Sequence, residues 1–190
     1  MRTLDNNAAD VIPIRLIISV VIIAVIMFLI MLASDNVRIS LAEHQIEEEC
    51  RQLQSTLATM TASGVARDVD ACDFAEGTNR VQTLDLPDSL VYLSFGGCPD
   101  SLGSDQYQSA ITDDGASIFY RVQGGGTHVI WFPRNSYKFR EGLLHGTTWT
   151  LNETAGSYII HHGGATRLVF ELVQKNHVNY ILVHASDEIE

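Results

Sequence analysis

Seven histidines and three cysteines are the residues of this chain best suited to hold a metal or to run covalent chemistry, and their spacing argues against both. His161 and His162 are adjacent, so on a strand they point to opposite faces and do not readily share an ion. His177 and His184 stand near the two ends of one apolar run, too far apart for a common ligand. Neither H-x-x-x-H nor H-E-x-x-H occurs, and no C-x-x-C pair marks a structural zinc site. The histidines therefore read as solvated strand residues. No G-x-S-x-G, G-x-G-x-x-G or P-loop pattern is present. Gly124-Gly125-Gly126 is followed by no helical pattern and reads as a hairpin turn rather than a phosphate cradle. Trp131 and Trp149 could line a sugar-binding surface, yet each sits inside an apolar run and reads as core. No catalytic residue, metal, cofactor or enzymatic activity is expected.

The cysteines fit an oxidising compartment. A bridge between Cys72 and Cys98 would close a loop of about 25 residues and contribute roughly 3 kcal/mol. Cys50 would be left over, free or paired between chains. Three unpaired thiols are an equally open reading. Asn152-Glu153-Thr154 is a glycosylation sequon, which makes Asn152 a candidate acceptor outside the cell.

What must position these residues begins with a greasy segment. Val11 to Ala33 is almost unbroken apolar sequence, and Leu16 to Ala33 carries no charge. A hydrocarbon core needs roughly 20 such residues in a helix. Asp10 is placed to cap that helix and Pro13 to lie in its first turn. No Pro or Gly interrupts the chain between Pro13 and Gly64, so the helix is expected to continue into a polar stretch and to stop at Gly64. In that stretch Ile46, Cys50, Leu53, Leu57 and Met60 recur at spacings of four and three, one stripe of a helix. A helix from Val11 to Thr61 would be about 75 Å long. Its stripe must be covered, either by the chain's own carboxy-terminal domain or by the same helix in neighbouring subunits, as in a coiled-coil stalk.

A net charge of −11 argues against nucleic acid or an anionic membrane surface as partner. Arg2 and Arg15 precede the span, whereas Arg38 follows it among acidic residues. That bias favours a cytoplasmic amino terminus and an extracellular carboxy-terminal domain, with Arg15 snorkelling to the inner headgroups. The acidic start and the long apolar core argue for a retained single-pass anchor over a cleaved secretory signal.

From Val81 the texture changes to short β-rich runs between turn residues. Strands are expected at Val81–Leu86, Leu90–Phe95, Tyr107–Ile111, Ile118–Val122, Thr127–Phe132, Leu143–Leu151, Tyr158–His161, Arg167–Val173 and Val178–His184. Lys175-Asn176 is expected to turn the last hairpin, with Phe170, Leu172, Tyr180 and Leu182 on one face and Glu171 and Asn179 on the other. The fold class is α+β: a long amino-terminal helix, then an antiparallel sandwich or curled sheet. The expected parts are a leader or cytoplasmic tail over 1–10, a span over 11–33, a stalk over 34–63, a linker over 64–80 and a β domain over 81–190.

The stretch Ala8-Ala9-Asp10-Val11-Ile12-Pro13, running straight into the apolar segment, resembles the start of archaeal type IV pilin-like proteins. Those commonly read A-V-S-E-V-I-G there; Asp10 takes the acidic place and Pro13 stands where the glycine would be. The resemblance covers roughly 25 residues, together with the plan of leader, long helix and β-rich head. It implies leader cleavage near Asn7 and Ala8. It also implies assembly through Asp10 and the helix around Pro13 and Arg15, with like subunits or other envelope proteins as partners. The function implied is a structural or minor-pilin subunit of a surface filament. The alternative is a permanently anchored single-pass protein whose extracellular β domain binds a ligand or an envelope partner.

Overall fold

The computed structural model describes residues 7–71, 77–99, 110–111, 116–132, 137–145, 148–152 and 157–186. One helix, α1 (Asn7–Ser63), precedes twelve strands: β1 (Arg67–Asp68), β2 (Asn79–Leu86), β3 (Leu90–Phe95), β4 (Gly97–Cys98), β5 (Ala110–Ile111), β6 (Ser117–Val122), β7 (Thr127–Trp131), β8 (Lys138–His145), β9 (Thr148–Leu151), β10 (Tyr158–Ile160), β11 (Gly164–Lys175) and β12 (Val178–Ala185). The chain divides into two compact units, Met1–Ser40 and Leu41–Glu190. The second unit thus takes in residues 41–63 of α1, most of the stretch expected as a stalk over 34–63.

In the first unit α1 starts at Asn7, so Asp10 lies in its first turn rather than at its cap, and Pro13 lies a turn further in. Every residue from Ile14 to Met31 is exposed. In the second unit the stripe is closed: Ile46, Cys50, Leu53, Leu57 and Met60 are all 0% exposed. Each of the large ones contributes roughly 1.5–3 kcal/mol on burial. The chain's own β domain takes this stripe, which leaves none of it for a coiled-coil partner. Gly64 ends α1 as expected, its N–H donating to the Met60 carbonyl at 2.8 Å. A Cβ at Gly64 would overlap that same carbonyl oxygen.

The strands form two main sheets and a two-stranded ribbon of β4 and β5. One sheet runs β1-β11-β12-β8-β9 with β2 also on β11; the other runs β10-β3-β6-β7. Most pairs are antiparallel, but β1 with β11 and β12 with β8 are parallel. In the smaller sheet Leu93 lies opposite Tyr120 and Phe95 opposite Ile118, and all four are buried. Phe95 meets Phe139 of β8 edge-on at 5.6 Å and Phe170 of β11 at 5.8 Å. One aromatic core therefore joins the two sheets.

The β11–β12 hairpin forms where expected, but its register differs by one residue. Its loop is Asn176-His177, both at positive φ (51° and 62°), and Lys175 pairs with Val178. Asn tolerates this left-handed region and the two-residue primed turn requires it. Because side chains alternate, shifting the turn by one residue regroups the faces. Phe170 and Leu172 share a face with Val183 and Ile181, while Glu171 and Val173 share the other with Leu182 and Tyr180. The expected Leu143–Leu151 strand is instead divided between two strands, β8 and β9, whose residues Gly142–His145 and Thr148–Leu151 pair with each other.

Candidate functional site

The feature of the first unit with the most direct functional meaning is its uncovered apolar surface. An 18-residue window of α1 near the amino terminus has a mean hydropathy of 3.4, and none of it is buried against the rest of the chain. Leu16, Phe28, Ile30 and Met31 are each more than 60% exposed. A patch of this size needs lipid or another apolar surface to cover it. α1 is the one helix of the described residues long and apolar enough to cross a membrane. Arg15 is exposed at the start of this segment, and its carbonyl accepts from the Ser19 hydroxyl at 2.9 Å.

In the second unit a polar seam flanks the buried stripe. On one side Gln45 Nε2 donates to the Asp85 carbonyl at 2.8 Å, and the Asp85 N–H donates to the Glu49 carboxylate. Both main-chain groups of Asp85 thus turn from β2 toward α1. On the other side Gln54 Nε2 reaches the Trp131 carbonyl at 3.4 Å, and Glu43 Oε1 lies 2.9 Å from His128 Nε2. The His128 ring stacks on Tyr120 at 5.1 Å. The second half of α1 therefore meets the outer edges of β2 and β7, with main-chain hydrogen bonds at Asp85 and Trp131.

Burial sets the acid–base character of this seam. Desolvation pushes the Cys50 thiol up to about 12, with Glu49 and Glu47 adding to the effect. Desolvation does the same to the Tyr120 hydroxyl, also about 12, with help from Glu47, Glu43 and Cys50. Neither group supplies an anionic nucleophile near neutral pH. Glu49 is raised above the usual carboxylate value by desolvation first, then by the Asp85 and Glu48 charges, against the opposing Asp85 N–H. A raised carboxyl binds its proton more tightly in the folded state, so its cost to folding is fully present at neutral pH. That cost is relieved as pH falls through the raised value toward 4.5. Relative to Glu49→Gln, the unsubstituted chain is expected to gain stability over that window, read as thermal midpoints in detergent. A gap between the two proteins that does not change with pH would contradict this assignment.

On the outer face of the larger sheet lies a buried ion pair. Arg67 Nε donates to Glu171 Oε1 at 2.7 Å and Nη2 to Oε2 at 3.1 Å. The side chains are only 7% and 5% exposed. Arg67 Nη2 also donates to the Trp149 carbonyl at 2.7 Å, and the Gly77 N–H to Glu171 Oε1 at 3.1 Å. Trp149 in turn stacks flat on His184, centroids 3.6 Å apart. Gly142 lies beneath the stacked rings, where a Cβ would make a tight 3.2 Å contact with the indole. With both oxygens of Glu171 occupied by donors, this cluster fastens β1 and β9 to the sheet and offers no free base.

Several sequence expectations change here. Glu171 lies opposite Phe170 as expected, yet it is buried, because Arg67 arrives from the segment read as a linker. His184 is 2% exposed, not solvated, because Trp149 covers it. Trp131 is 55% exposed rather than core, since it lies on the outward side of an edge strand. His161 and His162 are exposed as expected. Among the described residues no group of three His, Cys, Asp or Glu side chains is placed to hold a metal. Asn152 is 6% exposed, and its amide nitrogen donates to Glu141 Oε2 at 2.7 Å; glycan attachment would require that bond to break. Cys72 lies outside the described residues, and with it the Cys72–Cys98 bridge. Asn7 and Ala8 fall in the first turn of α1; residues 1–6 lie outside the description. No protein-family model matches the chain, and no curated protein or solved structure is significantly similar to it.

Proposed function

We propose that this chain is a pilin-like subunit, structural or minor, of an archaeal surface filament, held in the membrane by α1 until assembly. The observation that carries the reading is the division of α1. Its first half is apolar and uncovered, whereas the second half is consumed by the β domain. A bilayer satisfies the first half of a lone subunit, since the main-chain groups of its apolar run are bonded within the helix. Like helices satisfy it equally in an assembly, where close packing replaces lipid contacts. Resemblance around Asp10 to archaeal pilin-like proteins adds independent support.

Amino-terminal sequencing of the native protein, with fractionation of sheared cell-surface material, tests the proposal. A mature end near Ala8 and a pool in the sheared fraction are expected. An intact leader with an exclusively membrane-bound pool would leave a permanent single-pass anchor in its place.

A further inference from the structure

The apolar surface of α1 does not end where its uncharged run ends. Past Ala33 charged and amide side chains enter the helix, yet Val37 is 56% exposed and Leu41 64% exposed. Ile30, Ser34, Val37 and Leu41 succeed one another at steps of four, three and four, which places them along one stripe. Asn36 and Ser40, on other sides of the helix, are exposed and polar. We infer that this stripe is a further membrane contact: Val37 and Leu41 lie in the headgroup layer beside the span, on one side of α1 only. The layer is zwitterionic rather than anionic, in keeping with a net charge of −11. The inference rests on α1 as a membrane anchor and concerns the subunit before any assembly.

Continuity, distance and the end of the stripe set the occupant. Ile30, on the same stripe, belongs to the uncovered apolar run, so the lipid that covers it needs only to extend along one side. Val37 stands about 6 Å beyond Ala33 along the axis. A headgroup layer is about 5–7 Å deep, the difference between a bilayer and its hydrocarbon core shared over two sides. Leu41 is a turn further, but helical side chains lean toward the amino terminus, here the membrane side. An ordinary tilt of about 20° lowers that side of the helix as well. Beyond Leu41 the stripe stops, since His44 and Glu48 come next along it and are exposed. A parallel copy of α1 seated here would need apolar residues at those positions and would set Glu48 against its own twin. Nor does the β domain claim Leu41, because Ala42 and Ile46, which it buries, lie on another side of the helix. Arg38, exposed on the flank of the stripe, can lay its alkyl chain along the layer and raise its guanidinium to the phosphates.

The test uses the full chain in phosphatidylcholine vesicles, with a genetically encoded fluorescent residue placed singly at Val37, Leu41, Asn36, Ser40 or Ile22. Acrylamide quenches from the water, and a nitroxide on the lipid headgroup quenches from the membrane. Acrylamide quenching at Val37 and Leu41 is expected to be about threefold or more below that at Asn36 and Ser40, with nitroxide quenching correspondingly higher. Asn36 lies nearer the span than either, so depth along the axis alone does not produce that order. Val37 and Leu41 open to acrylamide beside a shielded Ile22 overturn the inference and leave the membrane reading standing. An open Ile22 overturns both. Shielding of Val37 and Leu41 that fades as excess lipid dilutes the protein overturns it too, and puts a second copy on the stripe instead. The amino-terminal sequencing test is independent of all these outcomes.

Discussion

Replacing Glu171 by alanine is expected to cost about 3–5 kcal/mol of folding stability, because it strands a buried guanidinium. Arg67 would keep only the Trp149 carbonyl, and the Gly77 N–H would lose its acceptor. Reciprocal replacement with apolar residues, Arg67→Met with Glu171→Leu, should recover much of that loss. A buried pair is often worth little net, although breaking it is costly. Denaturant unfolding in detergent reads both effects. A single-variant loss below about 1 kcal/mol would mean water reaches the pair.

The second large effect is expected at Phe95. Truncation to alanine removes a fully buried ring that touches Phe139 and Phe170 in the opposite sheet. Such changes cost about 3–5 kcal/mol, and edge-on aromatic pairs add roughly 0.5–1.5 kcal/mol each to what burial alone gives. Trp131→Ala is the matched control. That ring is larger but 55% exposed, with one edge-on contact to Phe119 at 6.5 Å. Equal losses at the two positions would mean that the sheets do not share a core through Phe95.

The helix and most strands were legible because their signals are local. The uninterrupted run from Ile14 to Ser63 and the four-three spacing from Ile46 to Met60 fix α1 and its buried side. The β-rich runs on either side of Pro87-Asp88-Ser89 mark β2 and β3, although the two join different sheets. What escaped depends on distant pairing. Arg67 and Glu171 are 104 residues apart, and neither looks unusual in its own neighbourhood. Glu43 and His128 are 85 apart. The exact turn in β11–β12 also escaped, since Lys175-Asn176 and Asn176-His177 are both plausible from composition. Only pairing of the whole strands selects between them, and that choice decides which face each side chain takes.

The way Glu171 grips both Arg67 and Gly77 bears on how this protein could be labelled. The strand β1 ends at Asp68 and β2 begins at Asn79, and one carboxylate, holding Arg67 and Gly77, grips both sides of the doorway. Val65 and Thr78 reinforce it, with Val65 N–H to Thr78 Oγ1 at 2.8 Å and Thr78 N–H to the Val65 carbonyl at 2.9 Å. Once the doorway is fastened, extra chain between its posts adds little entropic penalty, roughly 0.6 kcal/mol for each doubling of length. An epitope or fluorescent tag inserted there would enter between two ends that are already pinned.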